Sequence, residues 1–249
     1  MSDALVDITI TATRRPEILH RTLDSFYELM LRPVAARCRV FMNIDPVGDD
    51  VDRIDIINLV RAYFNTCVSR LPITPSFGAA FQWCWQQTAA PWILNLEEDW
   101  ELLQPVDVLE MIRILEDEPD LALLRLPFRK SDAAFQKNWK AFFPWNGRYF
   151  ECPADRRTEM GFCGHPSLIR IGFVKKCARF IDERQNPEKQ FHHGHRALIE
   201  TVQDYRYGVW GRPNDAPYVR DIGRQWMVEH GWVKQGVKAF FTKWERIQE

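Results

Sequence analysis

Apolar residues recur at two different periods, by turns, from Val6 to Glu101 of this 249-residue chain, and that alternation restricts the folds open to it. Val6 to Ala12 (Val-Asp-Ile-Thr-Ile-Thr-Ala) alternates apolar and polar residues and is rich in β-branched types, so it reads as a strand. Pro16 and Glu17 suit the first turn of a helix, and Leu19, Leu23, Phe26 and Met30 give that helix an apolar face before Pro33 ends it. Cys38 to Ile44 reads as a second strand, finishing in the acidic, turn-rich stretch Asp45–Asp50. A helix marked by Ile54, Ile57, Val60 and Phe64 follows, then a short edge strand over Leu71–Thr74. A helix entered through Ser76, Phe77 and Gly78 runs to Gln87 and delivers the chain to Trp92. Strand and helix alternating in this way predict an α/β fold, with a mostly parallel central sheet covered by helices on both faces. The loops at residues 13–15, 45–50 and 97–100 then gather at the carboxyl edge of the sheet, where open α/β sheets bind their ligands.

The segment Trp92-Ile-Leu-Asn-Leu-Glu-Glu-Asp-Trp-Glu101 makes that edge chemically specific. A short apolar run after Pro91 has the length of a buried strand, and it stops in Glu97, Glu98 and Asp99. Three adjacent carboxylates repel one another. They suit a strand end that faces a divalent cation or a hydroxyl-rich ligand, and equally a solvated turn into the next element. No Gly-x-Gly-x-x-Gly follows the first strand and no phosphate-cradling loop ends in Gly-Lys-Ser/Thr, so a dinucleotide or ATP site of the usual kinds is disfavoured. Phosphates at this edge need a metal and side chains such as Arg14 or Arg15.

The second half is less regular. Pro105 opens a helix with Val108, Leu109, Ile112 and Leu115 on one face, and Leu121–Leu126 reads as a strand. Residues 131–158 mix aromatic and charged residues without a clear period. Gly161–Arg170 is a glycine-bearing loop entering a strand, and Val174–Ile181 a short helix. Asn186 and Pro187 have the types expected at the N-cap and first position of a helix. Tyr205–Trp210 reads as a late strand and Gly236–Ile247 as a terminal helix, its cations and aromatics closing the core or offering an acceptor surface for nucleic acid.

Composition narrows the function classes. With 33 basic and 34 acidic residues the net charge is −1, which argues against bulk electrostatic attraction to nucleic acid or membrane. The six cysteines show no zinc-knuckle or redox spacing, and the histidines at 192, 193 and 195 lack further ligands at zinc spacing. No stretch has the make-up of a leader or a membrane span, so the expectation is a soluble, cytoplasmic protein.

Several of these windows together resemble glycosyltransferases of the A-type fold. Ile8-Thr-Ile-Thr-Ala-Thr-Arg-Arg-Pro-Glu17 through Phe26 is similar to the opening of family-2 glycosyltransferases. Ala80 through Glu101 is similar to the helix–strand–acidic segment of the N-acetylglucosaminyltransferase I type, and Pro217-Tyr-Val-Arg-Asp-Ile-Gly223 to a late His-Ile-Gly segment. The resemblance implies a single-domain nucleotide-diphospho-sugar transferase (GT-A-like) fold over residues 1–223. Its donor half covers about 1–103 and its acceptor half about 104–223, with a helical tail at 224–249. It implies Mn2+ or Mg2+ on Asp99, with Asp221, standing where the family has His, or His230 completing the metal site. Glu98 and Glu97 are expected on the ribose and sugar, Asp45 on the base, and Thr11, Ala12, Thr13, Arg14, Ser76, Phe77 and Gly78 around the rest of the nucleotide.

Glu188, in the first turn of its helix, matches the catalytic base, with Asp182 and Glu183 as alternatives. A carboxylate there is held ionised by the helix dipole, as an inverting transfer to an acceptor hydroxyl requires. The function so implied is transfer of a hexosyl or N-acetylhexosaminyl group from a nucleotide-diphosphate sugar, UDP favoured. The acceptor is a saccharide or a hydroxymethylated base in phage DNA. A nucleotidyltransferase that makes sugar nucleotides, or a non-catalytic sugar-nucleotide-binding module, are the other readings.

Overall fold

The computed structural model of the protein describes residues 4–49, 51–127, 143–160, 164–237 and 241–246. β1 (Val6–Arg14) leads into α1 (Pro16–Phe26), which opens with Pro16 and carries Glu17 in its first turn. The helix loosens into a π-type turn at Tyr27–Leu31 and tightens again over Arg32–Arg37 around Pro33. β2 (Cys38–Gly48), α2 (Arg53–Arg61), β3 (Cys67–Arg70), α3 (Phe77–Gln87) and β4 (Trp92–Glu97) follow. Side chains cap the helices where the sequence places suitable residues. Asp52 accepts from Ile54 N at 2.8 Å in α2, and Ser76 from Ala79 N at 3.3 Å in α3. After the acidic turn come β5 (Trp100–Leu102) and α4 (Val108–Asp117), the latter capped by Asp107 rather than opened by Pro105.

The second half supplies β6 (Leu121–Arg125), β7 (Phe150–Glu151), β8 (Ser167–Arg170), β9 (Arg206–Val209) and β10 (Val219–Asp221). Helices at Ile171–Cys177, Pro187–His193, Arg196–Gln203 and Gly223–Glu229 lie between and after them. Residues 131–142, within the stretch of unclear period, and Cys163 lie outside the described residues.

Among the described residues eight strands form the main sheet, in the order β3-β2-β1-β4-β8-β6-β9-β7. Pairing is parallel from β3 through β4 and between β6 and β9, whereas β8 runs antiparallel to both β4 and β6. The chain winds outward from β1 to β3 and returns to lay β4 on the other side of β1. The order therefore reverses between β1 and β4, which is where an open α/β sheet forms a crevice. Thr11 pairs with Asn43 on one side and Glu97 on the other, so the strand ends are level.

Period-2 alternation divides the core between the two faces. On β4, Trp92, Leu94 and Leu96 join the cluster under α1, α2 and α4, while Ile93 joins the one built around Phe81 and Trp85 of α3, Phe173 and Phe191. Asn95 is tolerated in the buried strand because its Oδ1 accepts from Trp85 Nε1 at 3.0 Å and Thr9 Oγ1 at 3.1 Å.

Two expected elements are different in the structure. The edge strand is Cys67–Arg70, not Leu71–Thr74: Pro72 has no N–H to give the ladder, and β2 pairs Val40–Asn43 with the earlier segment. Among its described residues the C-terminal segment is helical only over Gly223–Glu229. Gly231, at φ 66°, turns the chain into the antiparallel hairpin of β11 (Trp232–Val237) and β12 (Phe241–Arg246) in place of a helix over Gly236–Ile247. Val233, Val237, Phe241 and Thr242 are strand formers, which outweighs the amphipathic helical spacing. Lys238 and Phe240 of the basic, aromatic tail lie outside the described residues. Among the described residues no helix is long and apolar enough to cross a membrane.

Candidate active site

β4 delivers its three carboxylates in three directions. Glu98 turns inward and is buried at 1% exposure. It accepts from the Thr13 backbone N–H at 2.7 Å, Thr13 Oγ1 at 2.5 Å, Arg15 Nε at 2.8 Å and Arg15 Nη2 at 2.6 Å. Thr22 Oγ1 also donates to the Glu98 backbone carbonyl. Burial pushes the Glu98 carboxyl up, opposed by Arg15 and Thr13. On Arg15, burial works against the charge, and Glu98 and Asp99 more than offset it, so the guanidinium is firmly protonated. Glu98 thus clasps the loop after β1 to the end of β4.

Asp99 faces the opening. Its Oδ2 receives Arg15 Nη2 at 3.1 Å. Beneath that contact the Arg15 guanidinium lies over the Trp226 ring, 5.4 Å from its centroid. Trp226 forms a small apolar cluster with Ile18 and Ile222, which seats the Gly223–Glu229 helix against the start of α1. β10 pairs with β5 so that Asp221 stands opposite Trp100, and Ile222 N donates to the Asp99 backbone carbonyl at 2.9 Å. Asp99 and Asp221 converge on Gly223. Its N–H donates to Asp221 Oδ1 at 3.0 Å, and a Cβ there would come within 2.1 Å of Asp99 Oδ2. Burial first, and then the Asp99 charge, raise the Asp221 carboxyl above its ordinary range; Arg224, 3.1 Å away, opposes that.

Asp45, at the end of β2, is buried and accepts from Asn43 Nδ2 at 2.8 Å and Ser76 N at 3.1 Å, with burial raising its pKa. A cavity of about 530 Å³ lies between these groups. Thr11, Ala12, Thr13, Asp45, Ser76, Phe77 and all three carboxylates of the triplet line it, as does Asp221. Arg14 does not; its carbonyl is occupied by Asp49 N at 2.8 Å, and Arg15 lines the wall instead. Gly78 does not either. It lets α3 approach the 183–185 loop, since a Cβ would stand 2.3 Å from Glu183 O. His230 also stays off the lining, stacked on Trp226 with centroids 4.1 Å apart.

The second half of the chain meets this edge at Gly164. Glu188, in the helix capped by Asn186, accepts the Gly164 N–H at 2.5 Å. A Cβ on Gly164 would stand 3.3 Å from Glu188 Oε1 and 1.8 Å from Glu97 Oε1, so the two carboxylates flank one glycine. Asp182, by contrast, is engaged with Arg184 and Gln185. Sequence reasoning missed Gly164, Gly223 and Trp226, and named Arg15 only alongside Arg14. The one signal for Gly164 was its place in a glycine-bearing loop.

A divalent cation fits the donor set in part. Among the described residues no three Asp, Glu, His or Cys side chains converge. The Asp99–Asp221 pair offers hard oxygen ligands, the usual complement for an ion that takes its other ligands from phosphates and water.

No family model and no curated protein sequence matches the chain. Solved structures do. TarS of S. aureus superposes with TM-score 0.57 at 12% identity, covering 87% of this chain and 36% of that one. Its 1–349 fragment in complex with UDP-GlcNAc superposes with TM-score 0.58 at 12% identity, covering 86% and 57%. The same fragment in complex with UDP gives 0.56 at 13% identity, covering 86% and 59%. This chain therefore spans well under two thirds of the TarS chains' length. At such identities the likeness establishes the architecture: the chain has the fold of the nucleotide-diphospho-sugar transferases.

Proposed function

We propose that the protein is an inverting glycosyltransferase that takes its sugar from a nucleotide diphosphate, UDP favoured, and uses Mn2+ or Mg2+. The observation that carries this reading is the meeting of Glu97 and Glu188 at Gly164. A carboxylate from the acceptor half stands beside the acidic turn of the donor half, where a group-transfer reaction needs a base and a binding module has no use for one. A nucleotidyltransferase is disfavoured because the loop after β1 lacks glycines and is clasped through Thr13 and Arg15 by Glu98.

In this reading Asp45 meets the base, Thr11 to Thr13 and the Ser76–Phe77 turn hold the nucleoside, and Glu97 faces the sugar. That TarS structures hold UDP-GlcNAc and UDP supports a nucleotide sugar as the ligand class. A divalent cation held by Asp99 and Asp221 would offset the charge that develops on the departing diphosphate. Glu188 takes the proton of the acceptor hydroxyl as its oxygen bonds to the anomeric carbon. The bond to the diphosphate breaks on the opposite face, so the configuration inverts. A saccharide hydroxyl is the acceptor we favour.

Calorimetric titration with UDP, GDP and dTDP, with and without Mn2+, tests the donor site. UDP is expected to bind, more tightly with Mn2+, and Asp99→Ala to lose that gain. Absence of binding by all three nucleotides under both conditions overturns the reading.

A further inference from the structure

Arg15 stands where the proposed cation has to arrive. Its Nη2 bridges Glu98 Oε1 at 2.6 Å and Asp99 Oδ2 at 3.1 Å. The side chain is shut in, 5% exposed, between the Glu98 carboxylate and the Trp226 ring. Arg15 and Asp99 both line the cavity, Asp99 the more openly at 22% exposure. The acidic turn therefore already contains an organic cation. Glu98 is fully committed to it and to Thr13, and Asp99 shares it. Nη1 has no hydrogen-bond partner among the described residues, where the guanidinium is held by its other two nitrogens and by the ring beneath it.

We infer that Arg15 is a built-in competitor for the divalent cation, holding Asp99 in the empty site and releasing it only when a diphosphate arrives with the metal. The inference deepens the reading of this site as a metal-assisted nucleotide-sugar site and rests on it for the identity of the anion. A divalent ion at Asp99 alone displaces the Nη2 contact and sits beside a fixed guanidinium, so like charges face each other at short range. A diphosphate bound at the same time places negative charge between them and cancels that repulsion. Metal and nucleotide then tighten each other's binding by a common factor, as linkage requires. Arg15 is a positioning residue here: it acts through Asp99 and forms no bond to the sugar.

The test measures Mn2+ binding from the paramagnetic resonance signal of the free aqua ion, without nucleotide, in wild type and two variants whose folding is checked by circular dichroism. Arg15→Gln combined with Glu98→Gln removes one positive and one negative charge, so the net charge is unchanged and the two buried amides can bond to each other. Freed of its partner, Asp99 is expected to bind Mn2+ at least about fivefold more tightly than in wild type. Glu98→Gln alone leaves Arg15 with Asp99 as its one carboxylate partner in the acidic turn, and Mn2+ affinity is expected to fall. A folded double variant that binds Mn2+ no better than wild type overturns the inference, as does a Glu98→Gln variant that binds it as well or better. Should the double variant not fold, the single variant alone decides.

A second arm adds UDP. In wild type, UDP and Mn2+ are expected to tighten each other at least about tenfold, and in the double variant by a clearly smaller factor. If UDP, GDP and dTDP all fail to bind, with and without Mn2+, while the double variant gains Mn2+ affinity, the donor reading fails and the competitor role of Arg15 stands. If UDP binds with Mn2+ dependence while the double variant gains nothing, the donor reading stands and the role of Arg15 falls.

Discussion

Arg15 donates twice to a single oxygen of Glu98, from Nε at 2.8 Å and Nη2 at 2.6 Å, with both side chains closed to solvent. The pair joins the loop after β1 to the turn after β4, the two strands between which the sheet order reverses. The geometry of the cavity floor therefore depends on one ion pair. Removing Glu98 leaves the buried guanidinium to Asp99 alone and takes the shared acceptor from Thr13.

Glu98→Ala is accordingly expected to lower the stability of the fold by about 3–5 kcal/mol. Glu98→Gln, which still accepts from Thr13, is expected to cost clearly less. Denaturant unfolding of both variants checks this, and equal losses would show that the lost charge, common to both variants, accounts for the whole effect and the bonds to Thr13 for little.

Asp45 holds two groups and faces a third position. Its carboxylate accepts from Asn43 and from Ser76 N, which anchors the turn that starts α3, and it also lines the cavity. In the proposed reading, Asp45→Ala removes the carboxylate that meets the nucleotide base and unties Ser76. Hydrogen bonds to charged groups are worth about 1.5–3 kcal/mol, so UDP affinity is expected to drop roughly ten- to a hundredfold. Titration at fixed Mn2+ reads the change, and an unchanged affinity would place the base elsewhere in the cavity.

A pH effect is expected far from the cavity, at the edge of the sheet. Arg206 on β9 meets Glu151 on β7 with two contacts of 2.7 Å, and that bonding lowers the Glu151 pKa below its ordinary value of 4.5. A depressed carboxylate stabilises the fold above its unfolded pKa, and the contribution is lost as pH falls through the folded value. Glu151→Gln should therefore reduce stability at neutral pH and flatten the acid side of the stability curve below about pH 4.5. Unfolding midpoints measured from pH 7 down to pH 3 test this; parallel curves for wild type and variant would rule out the linkage.

Much of the scaffold was legible because its signals are local. Ser76 caps α3 and Asn186 caps the helix of Glu188, as residue types alone suggest. β1, β2 and β4 fall on the segments whose apolar patterns read as strands, although β3 precedes the Leu71–Thr74 run, so the gathering of Thr11, Asp45 and Glu97 at one edge could be read in advance. The division of labour within the triplet could not. Alternation ends with the strand, and only the fold shows that Glu98 turns inward while Asp99 faces the cavity. Arg14 and Arg15 differ by one position, yet the β1 path puts Arg15 on the cavity wall and leaves Arg14 off it. Gly164, Gly223 and Trp226 were hidden for a different reason: their roles arise from contacts with Glu97, Asp99 and Arg15, distant in the chain. The hairpin at Trp232–Arg246 was misread because its aromatic and basic residues also fit a helical face.

Gly164 offers a sharp test of how the two halves cooperate. It gives its N–H to Glu188, and its missing side chain makes room for the Glu97 carboxylate. In Gly164→Ala the new methyl would overlap Glu97 Oε1, the far end of a side chain that can turn away, while the approach to Glu188 is only tight. The fold is therefore expected to lose no more than about 1 kcal/mol, within the range of ordinary single substitutions. UDP binding, which the proposed reading assigns to Asp45 and the β1 loop, is expected to hold within about threefold. What changes is the position of Glu97 relative to Glu188. Transfer to acceptor, or slow hydrolysis of the donor in its absence, is expected to fall at least about tenfold in kcat, since small misplacements at a reacting centre cost factors of that size or more. A variant that lost nucleotide binding and turnover together would assign Gly164 to the donor pocket, and one that lost neither would remove Glu97 and Glu188 from the chemistry.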